Sequence, residues 1–378
     1  VLGRSTSFDL LTRIVAEPCA ASVAGIDDGR LDRVVELAVA HRVAGSLALA
    51  LVDAGRALPE PLVELSRSVT ANHLLTLAAL DRAGRALEAK GLRWAVVKGP
   101  VLAARWPGGW TERRYDDLDL LVDPASLGDA IEALRGVGFE HRNTNWEGFR
   151  QLGVGEVPLD DGNTVLDLHW SLIGLASLRR DFHLKTKDLL DRAVPMRLSQ
   201  VEVHTLDPVD TFVHLGVHHT LAGARYLAQL MDIHRVVGDV DPALTIARLD
   251  AAGATRLVGA AVDRAQRVFG PAAPRSLAEY FAADRAWRAV NRAADRLWGL
   301  VRPGATTPFP GAVVMSGRAD RGGTARALLG GVVRSLRPRL GASTLVSDGG
   351  PLDWKVHSGG ATAYDRFLDE VAEGRYGW

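Results

Sequence analysis

The sequence predicts an α+β protein in which a strand-rich middle lies between two helical parts. Three observations carry this. Apolar residues recur at three- and four-residue spacing from Leu31 to Val52 and from Leu62 to Lys90. The pattern changes at Trp94-Ala95-Val96-Val97, a short apolar run that opens a stretch of strands and turns. From about Pro208 the helical period returns and continues to about Val301. The expected divisions are a helical segment at 1–88, an α+β core at 89–205, a helical domain at 206–301 and a Gly/Pro-rich, partly helical extension at 302–378.

Each element has a local reason. Pro59 and Pro61 punctuate the turn between the first two helical runs. The Trp94 strand ends at Lys98-Gly99-Pro100, and a helical stretch follows to Trp106. Pro107-Gly108-Gly109 is a loop. Tyr115 to Val122 reads as a strand, and Ser126 is expected to cap a helix over Leu127 to Gly136. Glu156 to Leu159, the turn Asp160-Asp161-Gly162-Asn163 and Thr164 to Trp170 form a hairpin. In the extension, Ala325 to Leu336 and Tyr364 to Glu373 are amphipathic, and this part is expected to pack on the helical domain or to lack order.

Composition narrows the class. With 45 basic and 45 acidic residues the formal net charge is zero, so nothing global favours a long nucleic acid as partner. Cys19 is the only cysteine. That rules out an internal disulfide and a cysteine-based zinc site, and it fits a cytoplasmic protein. Leu10 to Gly25 is broken by Arg13 and Glu17, a poor match to a signal peptide, and no apolar run is long enough to span a bilayer.

The chemistry concentrates in three aspartates. Side chains two apart on a strand share a face, so Asp117 and Asp119 point one way while Leu118 and Leu120 enter the core. The same alternation in Val165 to Trp170 puts Asp167 and His169 together. If the strands are neighbours, three carboxylates converge, which is costly unless a cation neutralises them. Hard oxygen ligands of this kind suit Mg²⁺ carrying substrate phosphates. Asp116 lies on the opposite pleat and should be a solvated or capping carboxylate. Gly99, between a strand and a helix, lets the backbone approach a phosphate, and Lys98 is a phosphate ligand or a solvated strand end. Arg113 is a guanidinium for phosphate oxygens or half of an ion pair. His214 and His218 are four apart, but the HExxH arrangement of a zinc site is missing, so packing or lining of a pocket is expected.

This order resembles the nucleotidyltransferase fold of the DNA polymerase beta superfamily, and more closely a bacterial family of uncharacterised nucleotidyltransferases. The matching residues are Lys98-Gly99, Arg113, Asp117-Leu118-Asp119-Leu120-Leu121-Val122 and Asp167-Leu168-His169-Trp170. In the helical part they are Phe212-Val213-His214, His218-His219, Arg225-Tyr226-Leu227 and Met231-Asp232-Ile233. The resemblance covers about residues 10 to 270. The wider superfamily has a serine after its glycine where this chain has Pro100, which removes a usual contact with the triphosphate.

The resemblance implies a polymerase-beta-like core, a mixed sheet with helices, flanked by N-terminal helices and a C-terminal helical domain. It implies transfer of a nucleoside monophosphate from a nucleoside triphosphate to an acceptor, with release of pyrophosphate. Asp117 and Asp119 would hold two Mg²⁺ ions, and Asp167 would complete the acceptor-side metal or act as general base. Lys98 and Gly99 would hold the β- and γ-phosphates, and Arg113 would offset charge on the leaving group. His169, His218 and Asp232 would belong to the acceptor pocket. A small molecule or natural-product peptide is the favoured acceptor. A toxin-like enzyme acting on tRNA or protein, or a non-catalytic scaffold that kept the fold, are the alternatives.

Overall fold

The computed structural model describes residues 6–298, 317 and 357–377. The chain opens with helices α1 (Ser7–Ala16), α2 (Asp28–Ala40), α3 (Ala44–Asp53) and α4 (Glu60–Ala89). Thr6 and Asp9 cap α1 reciprocally, and the Asp27 side chain caps α2 by accepting from Arg30 N–H. The helical run expected over Leu31 to Val52 is broken in two. Arg42 adopts φ 61° and Val43 N–H returns 2.8 Å to the Ala38 carbonyl, closing α2 with a left-handed residue where glycine is usual.

Seven strands follow: β1 (Trp94–Val96), β2 (Leu118–Val122), β3 (Glu140–His141), β4 (Glu156–Asp160), β5 (Val165–His169), β6 (Val194–Leu198) and β7 (Val201–Thr205). They form one mixed sheet in the order β3-β4-β5-β2-β1-β7-β6. The central pair, β2 and β5, is parallel, whereas β1 runs antiparallel to β2. The expected hairpin is β4–β5. Its turn is held by the Asp161 carboxylate, which accepts from Asn163 and Thr164 N–H at 2.9 and 2.7 Å. Between strands lie α5 (Gly99–Ala103), α6 (Gly109–Glu112), α7 (Leu127–Arg135), α8 (Trp146–Leu152), α9 (Ala176–Arg179) and α10 (Thr186–Asp191). Ser126 makes no cap for α7; Asp123 caps the short turn before it.

Helices α11 (Pro208–Leu221), α12 (Leu227–Val236), α13 (Pro242–Ala252), α14 (Thr255–Phe269), α15 (Arg275–Ala282) and α16 (Arg285–Trp298) come next. The final described helix is α17 (Gly360–Ala372). The architecture is α+β: a mixed sheet with helices, flanked by helices before and after it.

The strands alternate between two cores. Leu118, Leu120 and Val122 of β2 face a cluster with α4, α7, α8 and α17. Leu121, with Ala95 and Val97, faces the helices from α11 onward. Both faces of β2 are therefore covered, so a carboxylate on it is necessarily desolvated. A third cluster joins α1–α3 to Leu227 and Met231 of α12, which brings the N-terminal helices against the C-terminal ones.

Two further expectations change. Tyr115, Asp116 and Asp117 precede the ladder, which begins at Leu118. The Tyr115 carbonyl accepts instead from Asn72 Nδ2 at 2.7 Å. The amphipathic segment Tyr364 to Glu373 is helical, but it packs on the sheet core rather than on the helical domain. Phe367 is fully buried beside Trp146 and Phe149, and Arg150 grips Glu370 at 2.7 and 3.0 Å. Ala325 to Leu336 lies outside the described residues.

Candidate active site

Strand register builds the site. Asp119 of β2 stands opposite Asp167 of β5, and Leu121 opposite His169. Asp117 joins them from the extended segment just before β2. One carboxylate oxygen of each aspartate lies within 4.8 Å of the other two. Gly99 makes this approach possible. Its φ is +45°, and a Cβ there would sit 3.0 Å from the Asp117 carbonyl oxygen.

Asp119 is the centre of the arrangement and is 1% exposed. Its Oδ1 receives Lys98 Nζ at 2.5 Å and His169 Nε2 at 2.9 Å. Burial opposes its ionisation, but Lys98 and His169 outweigh that and hold the carboxyl well below the usual range. Its Oδ2 is buried with no hydrogen-bond partner. The other two aspartates are strained electrostatically. Burial and then the Asp119 charge push Asp117 up. Burial and then Glu156 push Asp167 up to about 7. His169 is held above its ordinary value: burial opposes the charge, but Glu156 at 3.1 Å from Nδ1 and the bond to Asp119 prevail.

These residues fit a hard divalent cation. An unpartnered buried oxygen and two carboxyl groups forced toward neutrality are what a dication at this point would relieve.

The cleft beside the cluster has a volume of about 160 Å³ and is walled by Lys98, Gly99, Asp117, Asp119, Arg113 and residues of α11 and α12. Asp167 and His169 lie beside this lining rather than in it. His218 and Asp232 both line it. Burial holds His218 and His214 well below the ordinary histidine value. His214 stays in the core, with neither ring nitrogen partnered.

Arg113 departs from the simple expectation of a guanidinium open to phosphate. Its Nε and Nη2 donate to both Asp232 oxygens at 2.7 and 2.9 Å. Asp232 also accepts from Trp106 Nε1 at 3.0 Å and contacts His219 Nε2 at 3.3 Å. Only Nη1 of Arg113 is left without a partner. Asp116 pairs with Arg114 at 2.6 Å and is about half exposed, consistent with its expected solvated role.

Sequence reasoning missed Glu156, yet the signal was there. Counting back from the hairpin turn, with Asp160 opposite Val165, puts Glu156 opposite His169. It also missed Arg42, which reaches the cleft from the α2–α3 turn, and it gave no role to Tyr226 of the Arg225-Tyr226-Leu227 motif, which lines the cleft at the start of α12.

The mixed sheet gathers three carboxylates from neighbouring strands beside a lysine-glycine turn, an arrangement that suits a nucleotidyl-transferring enzyme. A family model described as "Uncharacterised nucleotidyltransferase" matches residues 27–270, more than half of the chain, and the chain belongs to that family. No curated protein matches it. Among the described residues, no helix is long and apolar enough to cross a membrane.

Proposed function

We propose that the protein moves a nucleoside monophosphate from a nucleoside triphosphate to an acceptor hydroxyl, amine or phosphate and releases pyrophosphate. The acceptor atom forms a bond to the α-phosphorus while the bond to the β-phosphate oxygen breaks, and the acceptor gives up one proton. The observation that supports this reading is the carboxylate cluster, with its buried unpartnered Asp119 oxygen, inside the family-matched span.

Asp117, Asp119 and Asp167 would hold Mg²⁺, which supplies charge neutralisation at the phosphates when bound. Lys98 and His169 fix the Asp119 carboxylate in place, so the ligand set is rigid before substrate arrives. Arg113 is fixed by Asp232 and presents Nη1 as its free donor toward the leaving pyrophosphate. Gly99, in the cleft lining, would let the phosphates approach the backbone. His218, kept neutral by burial, suits a pocket residue that accepts a hydrogen bond from the acceptor. Asp167 either completes the ligand set or takes the acceptor proton. The favoured acceptor is a small molecule or a peptide of natural-product type.

The test is thermal stabilisation by each of the four nucleoside triphosphates with and without Mg²⁺, followed by labelled triphosphate in a lysate of the host. A Mg²⁺-dependent rise with at least one triphosphate and a labelled product are expected. No rise with any of them would leave a scaffold that merely kept the fold.

A further inference from the structure

Four strongly basic side chains line the cleft: Arg42, Lys98, Arg113 and Arg114. Three are matched by a carboxylate: Lys98 by Asp119 at 2.5 Å, Arg113 by Asp232 at 2.7 Å and Arg114 by Asp116 at 2.6 Å. Among the described residues, Arg42 has no carboxylate partner. Its guanidinium lies 4.7 Å over the Tyr226 ring. A triphosphate brings several negative charges, and cations already paired with protein carboxylates have little left to offset them.

The placement of Arg42 is built rather than incidental. It sits at φ 61° on the α2–α3 turn, in the left-handed region that disfavours any residue with a Cβ. A strained residue held at a cleft invites a functional explanation. Its platform is fixed as well. Gln229 Oε1 accepts from Arg225 and Tyr226 N–H at 2.9 and 3.3 Å, which locks the backbone under the ring. Ala228 N–H reaches the His41 carbonyl at 3.3 Å, tying α12 to the turn that carries Arg42.

We infer that Arg42, stacked on Tyr226, is the cation that receives the terminal phosphate oxygens of the nucleotide. The inference rests on the reading above and deepens it: the N-terminal helices contribute a substrate-binding residue to a site otherwise built on the sheet and the C-terminal helices. The guanidinium would keep its stacking on the ring while its edge donates to phosphate oxygens.

The experiment titrates wild type, Arg42→Gly and Arg42→Lys with inorganic tripolyphosphate and with each nucleoside triphosphate, in Mg²⁺, and records melting in parallel. Glycine suits the backbone, so Arg42→Gly should melt no lower than wild type. It should bind tripolyphosphate and nucleotide about tenfold or more weakly, while Arg42→Lys recovers part of the affinity. Unchanged affinity in Arg42→Gly overturns the inference and leaves the nucleotidyl-transfer reading standing. A lowered melting point with unchanged affinity overturns it too, and makes Arg42 a staple between the turn and α12. If wild type binds tripolyphosphate but no nucleotide, the transfer reading and the inference are both overturned, and a loss in Arg42→Gly would then mark only a polyphosphate site. If wild type binds neither, both are refuted.

Discussion

Asp119 and Asp167 stand directly opposite each other on the parallel strands β2 and β5. Parallel register makes their side chains neighbours on one face, so their repulsion is written into the sheet. Asp119 is bonded to both Lys98 and His169, which prevail over its burial, whereas at Asp167 burial and the charges of Glu156, Asp119 and Asp117 prevail over His169.

Asp167→Asn should therefore stabilise the metal-free protein while removing turnover. The Asp167 carboxyl is raised to about 7 in the fold, so over the range between the ordinary carboxylate value and about 7 the folded state holds a proton that the unfolded state has lost. Stability of the metal-free protein should fall as pH rises through that window. The Asn variant should lose this slope, melt higher than wild type at neutral pH and gain nothing from Mg²⁺. A variant that melts lower, or still responds to Mg²⁺ as wild type does, would remove Asp167 from the ligand set.

The Arg113–Asp232 pair offers a double-mutant cycle. Asp232 is 1% exposed, so Asp232→Ala leaves a buried guanidinium without its counter-charge and should cost about 3–5 kcal/mol in urea unfolding. Replacing both residues by apolar ones of similar size should recover most of that loss. A double variant as unstable as Asp232→Ala would show that the other Asp232 contacts, Trp106 and His219, set its value.

Gly99→Ala tests the approach to Asp117. The new Cβ meets the Asp117 carbonyl at 3.0 Å, and the φ of +45° is unfavourable for alanine. A loss of roughly 1–2 kcal/mol is expected. Mg²⁺-dependent stabilisation should weaken in the same variant because Asp117 is displaced. Wild-type stability together with wild-type Mg²⁺ response would show that the turn relaxes freely.

Acid sensitivity should be read at His41. Burial lowers its value from 6.5 to about 4, and its Nδ1 has no partner. Between those values the unfolded chain binds a proton that the folded protein refuses. Stability is therefore lost as pH falls from 6.5 toward 4 and levels off below that. His41→Gln should flatten this part of the curve in denaturant titrations on either side of the window. An unchanged slope would assign the acid response to other groups.

Much of the site was legible because strands turn spacing into direction. Alternation put Asp119 on one face of its strand and Asp167 with His169 on one face of theirs, and the β4–β5 hairpin followed from its Asp-Asp-Gly-Asn turn; Asp117 joins them from just before β2 rather than from the strand. What escaped depended on distant partners. Asp232 lies 119 residues from the arginine it binds, and no local pattern reports such a pairing. The β6–β7 hairpin was passed over because its strands are half exposed and turn at Ser199, a non-glycine residue with φ 56°. The break at Arg42 escaped for a similar reason: the apolar period runs through it, and nothing in an arginine announces a left-handed turn.

The family match stops at residue 270, but the aromatic cluster beneath the sheet is closed by α17, far downstream. A chain cut after α16 would leave Trp146 and Phe149 facing water where Phe367 now lies, and would strip Arg150 of Glu370. The stretch held in common with relatives is thus smaller than the stretch needed to seal this interior. Fragments designed on the shared span alone should aggregate rather than yield a working enzyme.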